Sequence, residues 1–292
     1  MHSYYEASAR ERIDAIVDSG SFREILPPPT RLLSPHLQAL DLPVAFDDGV
    51  IIGSATLDGL PVLIAAQEGG FMGGAVGEVH GAKLVGLLER AVRDQVAGVV
   101  LLLESGGVRL QEANAGLIAV SEVIRSILRA RVAGIPVVGA IGGQYGCFGG
   151  MGIAAACCTA IAMSEEGRLG LSGPEVIETA RGVEEFDSRD RALVWRTVGG
   201  KHRYLLGDCT ALVDDRVEAF RSALAKAIRA GDRLDLEGLE REQHLLEQRL
   251  QRFEKCEDGE DIWRALGWCE PKRVPLLTSD DFVAQAHERR MR

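Results

Sequence analysis

No cysteine occurs before Cys147, and the six present, at 147, 157, 158, 209, 256 and 269, form no C-x-x-C pair and have no histidines at zinc spacing. They read as reduced thiols rather than a metal or disulfide framework. Long apolar runs are missing too: nothing approaches the roughly 18 residues of a membrane-spanning helix. The opening Met1-His2-Ser3-Tyr4-Tyr5-Glu6 lacks the basic-then-apolar signature of a signal peptide, so the expected location is the cytoplasm. There is no basic excess. The formal charge of −10 argues against a nucleic-acid partner, which wants a basic footprint, and gives no support for an anionic membrane surface. The histidines are scattered, with no H-E-x-x-H or paired-carboxylate spacing and no phosphate loop, so no metal site is expected.

What is abundant is glycine, 34 residues, much of it gathered into turns that follow apolar strands. Ser8-Ala9-Arg10-Glu11 is a capping box opening a short helix with Ile13, Ile16 and Val17 on one side, ended by Gly20. The proline-rich segment from Leu26 to Pro43 predicts an irregular arm. Val50 to Leu57 and Pro61 to Gln67 flank Asp58-Gly59, a hairpin signal. A first glycine turn spans Gly69 to Gly77, before a helix carrying Leu84, Leu87, Leu88, Ala91 and Val92 on one face.

The apolar run Gly98 to Leu103 predicts a strand buried on both faces; it empties into Ser105-Gly106-Gly107, with a helix expected from about Leu110 to Ala133. Val137 to Ile141 is the next strand, followed by the long turn Gly142 to Gly152 and small residues suited to a closely packed helix. A short strand, Ala160 to Met163, precedes Leu171-Ser172-Gly173-Pro174-Glu175, with Pro174 placed as at a helix start. After Asp214 two or three charged helical pieces are expected, then a packed tail with Trp263, Leu266, Trp268 and Pro271.

Strand, glycine turn and helix thus recur, which predicts an α/β fold with mostly parallel pairing and no linker dividing it: one domain over 1–292, with an N-terminal helix and arm 1–49 and a helical C-terminal extension 215–292. Tandem glycines at a strand-to-helix turn expose backbone N–H groups, and a helix N-terminus adds its positive end, so such turns suit developing negative charge. Two such donors are worth roughly 3–4 kcal/mol each in mutational tests. Rival chemistries are weaker. Ser105 and Ser172 each lack a glycine that a nucleophile elbow needs, Cys147 fits a small buried thiol, and Gly150-x-Gly152-x-x-Ala155 sits too far past its strand for a dinucleotide turn. The densest basic stretch is Arg189, Arg191, Arg196, Lys201 and Arg203.

Ser105-Gly106-Gly107-x-Arg109-x-Gln111-Glu112 resembles the S-G-G-A-R-x-Q-E motif of the acyl-CoA carboxyltransferase N-type domain, a branch of the crotonase-like superfamily. The resemblance continues in Ala9-Arg10-Glu11-Arg12-Ile13, Gly73-Gly74-Ala75-Val76-Gly77-Glu78-x-His80, Gly149-Gly150 and Ser172-Gly173-Pro174. Phe71 to Gly81 and the Trp263 to Leu277 tail are similar, more narrowly, to the β-subunit branch of the biotin-independent malonate decarboxylases. The resemblance implies a crotonase-like spiral of ββα units with a C-terminal helical segment, and a site closed by a separate γ-type carboxyltransferase subunit in an obligate heteromer. It implies a malonyl thioester on the phosphoribosyl-dephospho-CoA arm of an acyl carrier protein, loaded by an acyl-carrier transferase subunit, with no cofactor bound directly.

Carried over by position, Gly106, Gly107, Gly149 and Gly150 would be the catalytic backbone donors. Ser105, Arg109, Gln111, Gly73, Gly74 and Ser172 would line the substrate, with Arg109 and Glu112 either bracing the turn or, for Arg109, meeting the malonyl carboxylate. Two alternatives remain: an acetyl-CoA/malonyl-CoA carboxyltransferase β subunit, against which the absence of cysteine before Cys147 counts, and a non-catalytic scaffold that binds an acyl carrier.

Overall fold

In the computed structural model, which describes residues 3–231 and 234–291, the first helix, α1 (Ala9–Ile16), starts on the expected capping box. The Ser8 backbone amide donates to Glu11 Oε2 at 2.8 Å while the Ser8 side chain takes the Glu11 amide. A three-residue strand, β1 (Arg23–Ile25), then pairs antiparallel with β2 (Val50–Leu57). The arm between them is more ordered than its prolines imply: it holds a 3-10 turn, Pro28–Thr30, and α2 (Pro35–Ala39), capped by Ser34. β2 and β3 (Leu60–Gln67) form the hairpin, and Asp58 and Gly59 both take the positive φ that a two-residue turn of this hand needs.

From β3 onward the pairing is parallel. α3 (Glu78–Asp94) returns the chain to β4 (Gly98–Leu102), α4 (Ala113–Val132) to β5 (Val137–Ile141), and α5 (Gly149–Ala156) to β6 (Ala160–Ser164). Three short helices, α6 (Pro174–Arg181), α7 (Arg191–Val198) and α8 (Gly200–Leu206), precede the edge strand β7 (Ala211–Val213). The chain ends with α9 (Val217–Ala230), α10 (Leu236–Phe253), α11 (Gly259–Ala265) and α12 (Ser279–Ala286). The seven strands lie in sequence order, antiparallel from β1 to β3 and parallel from β3 to β7.

Alternation through β4 divides the core. Val99 and Leu101 face α3, α4 and α5, in a cluster that also takes Leu84, Leu88, Val123, Ile127 and Met151. Val100 and Leu102 face the other side, covered by Ile13 and Ile16 of α1 and Phe220, Leu224 and Ile228 of α9. Both faces are buried, which is why the run from Gly98 reads as unbroken apolar sequence. A second, minimal ladder crosses the ends of the parallel strands through single bridges: Val76 to Val108, Ser105 to Cys147, and Cys147 to Leu169. These bridges bring the glycine turns together in the α/β, crotonase-like architecture.

Two features differ from the sequence reading. The helix expected from Leu110 begins as a 3-10 turn, Leu110–Glu112, and restarts at Ala113, whose φ of 48° breaks the run. In the C-terminal segment, α10 buries no residue, apolar positions included; the tail beyond it is packed as expected, with Trp263, Trp268 and Phe282 buried and Trp268 stacked on Phe282 at 5.6 Å. No helix among the described residues is long and apolar enough to cross a membrane.

Candidate active site

Each glycine turn packs on the next, so glycine is needed where backbone meets backbone. A Cβ on Gly74, at φ 66°, would run into the Glu104 carbonyl, and one on Gly107, at φ 111°, would stand 3.1 Å from Gly149 Cα and 3.2 Å from the Gly150 nitrogen. The Ser105-Gly106-Gly107 turn is therefore wedged between the Gly73-Gly74 turn on one side and the N-terminus of α5 on the other. The helix that points its positive end at this turn is α5, from the following unit, rather than the helix directly after the turn.

The amides of the turn are not equally free. Gly106 N–H donates to the Gly73 carbonyl at 2.8 Å, and Gly107 N–H donates to Ser105 Oγ at 3.1 Å. Gly149 N–H is taken by the Leu171 carbonyl at 3.0 Å. Gly150 N–H, in the first turn of α5, meets no acceptor among the described residues. The four glycines marked as donors by their sequence are thus brought to one wall, but only Gly150 presents an unspent N–H. Gly107 N–H is held by a side chain, the buried Ser105 hydroxyl, rather than by backbone. Gly73 faces open space, while the close approach permitted by Gly74 is to the neighbouring turn.

Arg109 takes the bracing position. It has no exposed surface, and its Nη1 donates to both Asp48 carboxylate oxygens, at 3.1 and 2.9 Å, and to Glu112 Oε1 at 2.9 Å. Nη2 donates to the Asp48 carbonyl at 3.2 Å. Both Nη groups are spent inside the protein and the remaining Nε is buried, so Arg109 does not offer itself to a substrate carboxylate in this conformation. Glu112 accepts the Ser34 hydroxyl at 2.7 Å and the Glu78 amide at 2.6 Å, capping α3 from another element. Burial pushes the Glu112 carboxyl up, but the Glu78 amide, Ser34 and Arg109 outweigh it and hold it below the ordinary value. Asp48 goes the other way: burial outweighs Arg109 and raises its carboxyl. Gln111 is exposed and Ser172 half-buried, on the loops beside the wall.

Sequence reasoning missed Asp48, Ser34 and the carboxylate of Glu104, because their partners lie 32 to 92 positions away. Of the basic stretch, only Arg189 and Arg191 are on the surface. Lys201 is buried, donating to the Leu277 carbonyl at 2.7 Å and paired with Glu165; Arg203 pairs with Asp208 and Arg196 with Asp258. Lys201 and Arg196 thus tie α8 and α7 to the C-terminal segment, and Arg203 closes on the turn after its own helix. Cys147 is fully buried, and burial pushes its thiol well above the ordinary range, so it is inert.

Around the wall, large apolar side chains stand in solvent: Leu110 is 80% exposed, Leu171 70%, Ile118 62% and Ile153 47%, all on segments that carry or adjoin the glycine turns. The glycine wall thus has exposed apolar side chains on its neighbouring segments.

A family model, the carboxyl transferase domain, matches residues 2–202. The chain belongs to that family. The malonyl-S-ACP:biotin-protein carboxyltransferase MADC of Malonomonas rubra is 39% identical over 97% of this chain and 95% of its own length. The acetyl-coenzyme A carboxylase carboxyl transferase subunit beta of Fusobacterium nucleatum is 33% identical, over 60% of this chain and 59% of its own length. Among solved structures, a chain of a Pseudomonas malonate decarboxylase hetero-tetramer in complex with malonate superposes with a TM-score of 0.83 at 41% identity, covering 90% of this chain and 96% of that one. The transcarboxylase 12S core, at 24% identity and a TM-score of 0.64, shares the fold. The carboxyl transferase family membership and the likeness to malonate decarboxylase subunits agree with the motifs read from the sequence, and assign the chain to enzymes acting on carboxyl groups.

Proposed function

We propose that this chain is the β-type subunit of a malonate decarboxylase, acting with a γ-type carboxyltransferase subunit on a malonyl thioester carried by an acyl carrier protein. The observation that carries the reading is the unspent Gly150 N–H at the N-terminus of α5, set against the Gly107 turn with exposed apolar side chains on the neighbouring segments. Cleavage of the bond between the methylene carbon and the carboxylate releases CO2 and leaves its electron pair on an enolate. The thioester oxygen then carries negative charge beside Gly150 and the positive end of α5. Exchange of the Ser105 hydroxyl for that oxygen brings the Gly107 amide in as the second donor. Protonation at carbon gives acetyl thioester.

The substrate arm, phosphoribosyl-dephospho-CoA on the carrier, supplies the thioester, so the chain needs no cofactor of its own for this step. We place the complex in the cytoplasm with its carrier and acyl-carrier transferase. Those apolar side chains form the surface the γ-type subunit covers; the solved relatives are a hetero-tetramer and a hetero-dimer.

A second reading, transfer of the carboxyl group to a biotin protein, is favoured by the activity for which the M. rubra relative is named. Co-purified heteromer given malonyl thioester separates the two. CO2 and acetyl thioester formed without any biotinylated protein support decarboxylation; product that appears only when a biotinylated carrier is added rejects it.

A further inference from the structure

Glu104 immediately precedes the Ser105 turn, yet its side chain belongs to all three glycine turns. Oε1 accepts the Tyr145 amide of the third turn at 3.1 Å, and Oε2 accepts Arg12 Nη1. Its own amide donates to Gln67 Oε1 at 3.1 Å, at the mouth of the first turn. Two glycines make room for the carboxylate: a Cβ on Gly69 would stand 2.8 Å from Glu104 Cδ, and one on Gly143 would run into the carboxylate itself. Arg12 is held in turn by the Tyr4 carbonyl at 3.1 Å and lies over the Tyr4 ring at 4.7 Å. Arg12 and Glu104 are 1% and 4% exposed.

A buried ion pair is a weak source of stability, since desolvation offsets most of the attraction and an apolar replacement is often neutral. What it does supply is a fixed geometry. We infer that the Arg12–Glu104 pair is a positioning device for the reaction: it ties α1 to the three glycine turns and sets the register between the Gly107 and Gly150 amides. The inference rests on the decarboxylase reading for its catalytic consequence. Neither residue touches the reacting atoms, and a displacement of about 1 Å in such a donor pair costs on the order of 100-fold in rate.

The test uses the assembled heteromer. Glu104→Gln keeps the shape and the acceptor for Tyr145 but sets an amide against Arg12. Its expected effect is a kcat lower by on the order of 10- to 100-fold with KM within about twofold. Arg12→Lys recovers part of what Arg12→Met loses. Gly143→Ala, at a position with ordinary φ, displaces the carboxylate with all charges intact and gives the same kcat-only signature, so the test survives if Glu104→Gln fails to fold. Hydrogen–deuterium exchange gives an independent readout: in either variant, peptides covering 66–77, 103–110 and 143–152 exchange faster together while β4 and β5 keep their protection. Wild-type exchange in those peptides, wild-type kcat, or a kcat loss matched by a KM rise or by release of the partner subunit overturns the inference. Coupled exchange in the variants, together with a wild-type complex that releases no CO2, leaves the positioning role standing and overturns the decarboxylase reading instead.

Discussion

Adjacent glycines in one motif carry different burdens. Gly107 sits at φ 111° with Gly149 Cα 3.1 Å from where a Cβ would be, whereas Gly106 has no positive φ and the atom nearest to an added Cβ, the Gly73 carbonyl oxygen, would be 3.5 Å from it. Gly107→Ala is expected to cost about 1–3 kcal/mol through backbone strain and to lower turnover. Gly106→Ala should leave the melting temperature and turnover close to wild type. Thermal denaturation and steady-state assays of the two variants side by side decide this; equal losses would mean that the turn is uniformly strained. Arg109 makes a sharper case. Replacing it with Met leaves Asp48 and Glu112 as buried charges without their cation, a change worth about 3–5 kcal/mol. Denaturant unfolding of Arg109→Met that shows wild-type stability would refute the bracing role.

Elements were legible in the sequence where their periodicity ran long enough. β2, β5 and the hairpin turn lie where their apolar runs and Asp58-Gly59 put them, because each strand is buried where its apolar residues mark it. β1 and β7, three residues each, carry too little pattern to read, and α7 and α8 were hidden inside a stretch that looked merely basic. The site was legible to the level of its turns: Gly107 and Gly149-Gly150 do meet. Which amide stays free was not, since that depends on Ser105 Oγ, the Gly73 carbonyl and the Leu171 carbonyl arriving from loops that only the fold assembles. The α3–α4 crossing shows the same dependence. Gly81 is unremarkable in sequence, yet a Cβ there would stand 2.5 Å from Ala119 Cβ and 3.1 Å from its Cα. Gly81→Val should therefore overpack the crossing and cost about 1–3 kcal/mol. Because Gly81 lies a turn inside α3, the loss should appear in urea midpoints with KM unchanged; a fully tolerated valine would show that the two helices separate freely.

Over the whole molecule, two histidines in different layers make the fold sensitive to acid. His80, on α3, is enclosed beside Gln67, and burial, reinforced by Arg109 and Lys83, depresses its pKa well below the ordinary 6.5. His202, on α8, accepts the Trp263 indole N–H on Nδ1 at 3.2 Å, which requires that nitrogen to be unprotonated, and burial lowers its pKa to about 3. In the unfolded chain each takes up a proton as pH falls through 6.5; in the folded chain neither does until far lower. The unfolded state thus binds more protons, and stability falls with pH by about 1.4 kcal/mol per unit for each histidine. For His202 that window runs from 6.5 down to about 3. Between pH 6.5 and 5.0 its share is about 2 kcal/mol. His202→Gln retains an acceptor for Trp263 without a titrating ring, so its stability should drop by about 2 kcal/mol less than wild type over that interval. The raised carboxyl of Asp48 works in the opposite direction, but it is common to both proteins and cancels in the comparison. Denaturant unfolding at the two pH values measures the difference directly, and parallel pH slopes for wild type and His202→Gln would mean that His202 takes up its proton in the native state.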